Sequence, residues 1–336
     1  MQCKQYYLAL TAGIGLLSCA SYTLAAVDLY GSIRAGYVTQ KTDGQHYDSD
    51  IEDRLTRIGI KGDGSLNDDL NFTFGLEQGF DLSNDAEMAD DPRNLYIGLS
   101  SKTWGHLTIG RLDSGTPTGS PLYSQIINIV SFSPANAGIA AIGTSIANTR
   151  NRSSNAIGYA SNNLNGWTYR ARFYSDEGAV MNFWDGENHA LDLGADFRNN
   201  KLRFSVGYGK DWSDKNNALD YKWQTGIRLN AYKPIQPYVL IGRDTYATDD
   251  VDYLIAGTKF SKDKHSIVLN YAQRDILNQN NAVFRKEQVS YLYDVNKQLN
   301  LNISYNRDER DYGDRNVISK GFGIGLKYDF NLFRWQ

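Results

Sequence analysis

The sequence predicts an all-β protein: a sixteen-stranded antiparallel transmembrane β-barrel. Three observations carry that expectation. Alternation of apolar and polar residues with period 2 runs through almost the whole chain after residue 26, with helical periodicity almost nowhere. Short turn-forming connectors alternate with longer polar ones, as in an up-and-down meander. The polar face of the strands carries Arg, Lys, Asp and Gly, which cannot form a dry core.

Residues 1–26 read separately, as a secretory signal peptide. Lys4 supplies the positive start, Leu8 to Ala20 is an uncharged apolar run, and Ala25 and Ala26 offer a small-residue cleavage site. A helical anchor is one alternative, and Leu16-Leu17-Ser18-Cys19 looks like a lipoprotein cleavage box, which is another. Cleavage at Ala25 or Ala26 removes both cysteines, Cys3 and Cys19, so the exported chain has no disulfide and needs an extensive fold. Residues 27–336 then form one barrel domain.

Composition narrows the class further. The chain has 336 residues, 35 basic against 38 acidic, and a net charge of −3, which gives no reason to expect a nucleic-acid partner. Aromatic residues at 12% are too many for a disordered chain. The mean hydropathy is negative. After residue 26 no stretch approaches the ~18 uncharged apolar residues that a spanning helix needs.

The strands follow in order. The alternating segments are 27–39, 54–63, 69–80, 93–101, 103–112, 154–161, 165–175, 188–198, 201–210, 221–231, 236–245, 251–260, 265–274, 284–294, 298–307 and 318–330. In the first, Val27, Leu29, Ile33, Ala35 and Tyr37 oppose Asp28, Ser32, Arg34 and Gly36. Ile58 and Ile60 oppose Arg57 and Lys61; Phe72, Phe74 and Leu76 oppose Thr73, Gly75 and Glu77. Trp167, Tyr169, Ala171 and Phe173 oppose Thr168, Arg170 and Arg172, and Leu191, Leu193 and Ala195 oppose Asp192, Gly194 and Asp196. The same alternation recurs in Leu202/Phe204/Val206/Tyr208, Leu299/Leu301/Ile303/Tyr305 and Phe322/Ile324/Leu326/Tyr328. In 236–245 and 251–260 the apolar parity stays open.

Gly64-Ser65, Asn162-Asn163, Asn199-Asn200, Lys233-Pro234 and Ser261-Lys262-Asp263 mark the short turns. The connector 113–153 is far longer than the rest. About sixteen strands are too many for one β-sandwich, and no blade-length repeat marks a propeller. An even-stranded meander closes on itself and satisfies its backbone hydrogen bonds inside a bilayer. Tyrosines, with Trp104, Trp167, Trp212 and Trp223 near strand ends, suit interfacial girdles.

Specific stretches resemble the general trimeric porins of Gram-negative outer membranes. Val27-Asp28-Leu29-Tyr30-Gly31 looks like the family's opening strand, and Thr56-Arg57-Ile58-Gly59-Ile60-Lys61-Gly62 its second. Gly75-Leu76-Glu77-Gln78-Gly79-Phe80 resembles the third. Tyr96-Ile97-Gly98-Leu99-Ser100 and Gly105-His106-Leu107-Thr108-Ile109-Gly110-Arg111 are similar to the pair before the long third loop. The resemblance implies a homotrimer in an outer membrane of lipid and lipopolysaccharide, with 113–153 folded inward as a constriction loop. It matches Arg57 and Arg93 to a basic ladder, with Arg150 or Arg152 a third member, and it sets Ser32 where enteric members often carry a lysine. By parity alone Arg93 shares a side with Leu95 and Ile97, against a lumen position unless a bulge intervenes. Two departures stand out. No charged side chain lies between Ser114 and Asn148, so Asp113 is the only acid nearby. Six residues, Asn331 to Gln336, follow a family-like Lys327-Tyr328-Asp329-Phe330 terminus.

Parity assigns the lumen charges. Arg34, Arg57, Lys61, Arg170, Arg172, Arg203, Lys222 and Arg228 face inward, with Glu77, Asp192 and Asp196 as acids. The remaining acids fall in long loops, such as Asp48/Asp50/Glu52/Asp53, Asp85/Glu87/Asp90/Asp91 and Asp308/Glu309/Asp311. Those clusters offer oxygen ligands for Ca²⁺ but more often form solvated loop surface. His46, His106, His189 and His265 lie far apart, without metal-ligand spacing, and no nucleophile elbow or Walker loop is present. The expectation is a non-enzymatic channel without cofactor or metal, passing small hydrophilic solutes and ions with a weak anion preference. A substrate-specific channel for sugars or acidic solutes, and a soluble exported β-rich binding protein, are the alternatives.

Overall fold

The protein is described here by a computed structural model covering residues 26–53, 55–83, 92–122, 126, 152–175, 189–212, 219–231, 234–277 and 282–335. The signal-peptide expectation for 1–26 lies outside these residues except for Ala26. So does most of the 113–153 connector.

Seventeen strands make one sheet. They are β1 (Ala26–Thr42), β2 (Tyr47–Asp53), β3 (Thr56–Ser65), β4 (Leu70–Phe80), β5 (Asn94–Ser101) and β6 (Gly105–Asp113). Then come β7 (Arg152–Ala160), β8 (Trp167–Ser175), β9 (His189–Arg198), β10 (Leu202–Trp212), β11 (Leu219–Leu229) and β12 (Ile235–Tyr246). The sheet ends with β13 (Asp250–Lys262), β14 (His265–Leu277), β15 (Val283–Asp294), β16 (Leu299–Asp311) and β17 (Asn316–Trp335). From β3 onward each strand pairs antiparallel with the next.

β2 and β3 both pair with β1, at Ala35–Lys41 and at Ala26–Ser32 respectively, so they make one stave broken beside Leu55, whose φ is 71°. The barrel therefore has sixteen staves, one for each alternating segment of the sequence.

Closure is made by β1 against β17, from Val27↔Trp335 to Thr42↔Ser319. Asn331 to Trp335 continue this last strand rather than trailing from it. Leu29 faces Phe333 while Tyr30 faces Asn331, so Leu332 is the extra residue of a bulge. A closed ladder leaves no strand edge to protect. Its outer surface is apolar: Ile33, Ile58, Ile97, Leu193, Val206, Ile241, Ile267, Leu301 and Ile324 are all exposed. The arrangement reverses a soluble core, and it suits lipid outside and polar groups within.

Part of the long connector lies on the inner wall. The Thr118 hydroxyl bonds that of Thr108 on β6, and Gln224 on β11 donates to the Leu122 carbonyl. Pro121 and Leu122 sit against Gly194 and Gly207, where an added Cβ would come within 2.8 and 2.9 Å of them. Glycine at those two positions lets the segment approach the wall so closely. Ile126, buried, packs with Tyr238, Leu240, Tyr253, Ile255 and Ala272.

That cluster settles the parity left open in β12 and β13. Ile241 faces outward and is 42% exposed, whereas Leu240 and Ile255 point inward and are 0% exposed. Both faces are apolar there because one meets lipid and the other meets the inserted segment.

Candidate channel lumen

Five strands bring together a chain of charges of alternating sign. Arg57 on β3 lies with its Nε 3.4 Å from Glu77 on β4. Arg93, at the entry to β5, donates to Glu77 at 2.6 Å and to Asp113 at 3.1 Å. Arg152, opening β7, donates to the same Asp113 oxygen at 3.0 Å. Read along the wall, the order is Arg57, Glu77, Arg93, Asp113, Arg152. Tyr30 donates its hydroxyl to Glu77 at 3.0 Å. Arg34 extends the group along β1: its Nε donates to Ser32, whose hydroxyl donates to Asp329 at 2.7 Å.

The interior of this chain is nearly dry. Glu77, Arg93 and Asp113 are all under 9% exposed, so each needs its opposite charge and its hydrogen bonds to stay ionised there.

Arg93 reaches the lumen because it escapes the pleat. Asn94 is the ladder partner of Glu77, yet Arg93 also donates its backbone N–H to the Glu77 carbonyl at 2.7 Å. Two residues of one strand thus oppose one of the other, as in a bulge. Leu95 and Ile97 beyond it face outward and are exposed, as the alternation requires.

The other expected lining residues divide. Lys61 is exposed, with its Nζ 5.1 Å from the centre of the Tyr30 ring. Arg170 pairs with Asp196 at 2.7 Å. Arg172 points inward but has no exposed surface, and it donates to Ser153 at 3.0 Å. It therefore supports the wall rather than meeting solvent. Lys222 and Asp192 are likewise inward and fully buried. Arg150 lies outside the described residues.

Two inward ion pairs were missed in the sequence. Lys222 and Asp244 are ladder partners 3.1 Å apart, and Lys286 and Asp308 are ladder partners 3.6 Å apart. Asp308 is not a loop acid as expected, because β16 runs on to Asp311 and carries it inward. The signal was present: Lys286, Gln288 and Ser290 alternate with Glu287, Val289 and Tyr291, and Asn302, Ser304 and Asn306 extend to Asp308 in step. Among the described residues no group of three or more His, Cys, Asp or Glu is placed to hold a metal ion.

A closed barrel, greasy outside and lined with paired charges within, defines a membrane channel of the β-barrel class. The sequence profile of the Gram-negative porins matches residues 9–315, and the chain belongs to that family: it is a channel of the outer membrane. Solved structures share the fold. The anion-selective porin from Comamonas acidovorans superposes with a TM-score of 0.70 and 15% identity, over 91% of this chain and 100% of its own. The outer membrane channel DcaP of Acinetobacter baumannii gives 0.68 and 14%, over 91% and 97%. The trimer form of OmpT, an outer membrane protein of Vibrio cholerae, gives 0.63 and 15%, over 92% and 100%. No curated protein sequence matches the chain.

Proposed function

We propose that the chain, exported through cleavage of residues 1–26, assembles as a homotrimer in lipid and lipopolysaccharide. Each subunit then provides one pore for passive diffusion of small hydrophilic solutes and ions, with a weak preference for anions. The family and fold support the pore. The preference rests on one observation: three arginines, Arg57, Arg93 and Arg152, share two carboxylates beside a connector that has no charge between Ser114 and Asn148. The cluster keeps a positive surplus that the loop does not cancel.

The mechanism needs no covalent step and no cofactor. The 113–153 connector acts as the constriction and sets the size limit, anchored through Leu122 and Ile126. The fixed guanidiniums raise the local concentration of anions in the narrow part of the pore. Ion pairing holds them in place and limits the surplus, which is why the preference is weak.

Planar-bilayer recording tests the reading. The expected result is discrete conductance steps that close in threes, falling off with the size of added uncharged solutes. The barrel should need detergent for extraction and migrate anomalously on unheated SDS gels. A chain that stays soluble without detergent and adds no conductance would contradict it.

A further inference from the structure

The outer face of the barrel changes character at its long-loop end. On β1, β17 and β16 the outward residues include Ile33 and Tyr37, Ile324 and Phe322, and Ile303 and Tyr305, all exposed. Farther along the same faces the residues become cationic. Arg307 on β16 is the ladder partner of Lys320 on β17, and Lys320 is the ladder partner of Lys41 on β1. Steps of two residues keep to one face of a strand, so all three cations stand on the outside of the barrel. In outer-membrane barrels the longer loops lie on the outer side, and exposed aromatics mark the interface. The cations, just beyond Tyr305, Phe322 and Tyr37, therefore stand at the level of the outer-leaflet headgroups.

Elsewhere on this rim opposite charges meet. Arg243 donates to Asp252 at 2.6 Å, and Arg285 lies 3.3 Å from Glu309. Arg307 lies 3.7 Å from Glu287 and 2.8 Å from Glu309. The two lysines differ. Lys41 holds its Nζ 5.2 Å from the centre of the Tyr47 ring, and among the described residues neither it nor Lys320 makes an ion pair. Asp43, just past the end of β1, accepts instead from the Ile318 N–H at 3.2 Å. Both lysines are exposed. Like charges directly opposite each other destabilise a sheet. Adjacent strands lie about 4.8 Å apart, so one anionic group reaches both ammonium groups and reverses the sign of their contact.

Place and chemistry select the partner. Cations beside a membrane bind anionic lipid headgroups, and a lysine ammonium is a point charge suited to phosphate. Tyr47, 73% exposed, and the hydroxyls of Thr39 and Ser49, which bond each other at 2.9 Å, flank Lys41 on the same face. A stacking ring and neighbouring hydroxyls suit a sugar better than a plain glycerol headgroup. We propose that Lys41 and Lys320, flanked by Arg307, bind a phosphate group of a phosphorylated glycolipid in the outer leaflet, with its acyl chains along Tyr37, Phe322, Ile324 and Tyr305. The proposal rests on the outer-membrane reading and adds to it the residues and the headgroup chemistry that hold the lipid.

Native mass spectrometry of the detergent-solubilised channel, titrated with a bisphosphorylated, acylated glucosamine disaccharide, tests it. The dephosphorylated disaccharide lipid and phosphatidylglycerol serve as comparisons. The expected result is saturable binding of the bisphosphorylated lipid at lower concentration than either comparison lipid. In the double variant Lys41→Gln/Lys320→Gln the half-saturating concentration should rise about tenfold or more, as expected for two cations lost from an anionic lipid contact. Lys320→Arg, which keeps the charge, should bind as the parent does. Anomalous migration on unheated gels shows that each variant barrel has folded. Equal binding by the parent and the double variant would overturn the proposal, as would a parent that takes up phosphatidylglycerol or the dephosphorylated lipid equally well. A parent that adds no conductance to a bilayer would instead overturn the channel reading.

Discussion

Two stretches of the same inner wall use arginine in opposite ways. Across β3–β7 three guanidiniums each have a carboxylate on a neighbouring strand: Arg57 with Glu77, Arg93 with Glu77 and Asp113, Arg152 with Asp113. Across β9–β11 the neighbours of Arg203 are Arg198 and Arg228. Both stretches face inward, and both would count equally in a tally of lumen charge. What separates them is register, which sets a carboxylate beside a cation in the first stretch and a second cation beside it in the other. The first wall holds side chains in place. The second concentrates charge.

Removing an acid from the first wall should make it resemble the second. Glu77→Gln leaves Arg57 and Arg93 short of their shared carboxylate in a nearly dry setting. A loss of about 3 kcal/mol is expected, with a lower transition on heated-gel assays and a reversal potential shifted toward anions. An unchanged transition would mean that the alternating chain is not structural.

Next to the second wall, β12–β14 carry the connector through Ile126, which packs among Leu240, Ile255 and their neighbours. Ile126→Ala should cost roughly 2 kcal/mol from lost burial and the cavity left behind, and should give larger or noisier conductance steps. Steps identical to the parent's would show that this anchor does not hold the constriction.

Arg203→Glu approaches the comparison from the other side, by giving the row the alternating sign of the first wall. Cross-strand pairs of opposite charge contribute about 0.2–1 kcal/mol each. The variant barrel should therefore be slightly harder to unfold in urea and less anion-selective. A less stable variant would mean that the row is not strained by like charge.

The smallest effect lies outside the membrane, where Asp69 ties two short turns together. It accepts hydrogen bonds from the Ser101 hydroxyl at 2.7 Å and from the Thr103 hydroxyl at 2.9 Å. These bonds, Ser101's first, hold its carboxyl below the usual carboxylate range. A depressed folded value means that the stabilisation is present at neutral pH and disappears as pH falls through that value. The difference in unfolding between the parent and Asp69→Ala should thus be small at pH 7 and vanish in acid.

Much of this molecule was legible in its sequence, because lipid outside and water inside write the same alternation into every stave. The exceptions each have a physical cause. β12 and β13 lost their contrast where Leu240, Tyr238 and Ile255 turn inward onto Ile126, so that neither face is polar. Arg93 defied parity because it doubles up with Asn94 opposite Glu77. Asp308 sits where β16 runs on past its alternating segment 298–307, to Asp311. The pairing of charges was not legible, since it depends on the register in which consecutive strands fall side by side.

The central claim is a water-filled pore whose fixed charge favours anions. The reversal potential of the parent channel across a KCl gradient tests it most directly. The account predicts a potential of the sign that marks chloride as the more permeant ion, approaching zero as salt is raised and screening grows. A clear potential of the opposite sign, marking potassium as the more permeant ion, would contradict it.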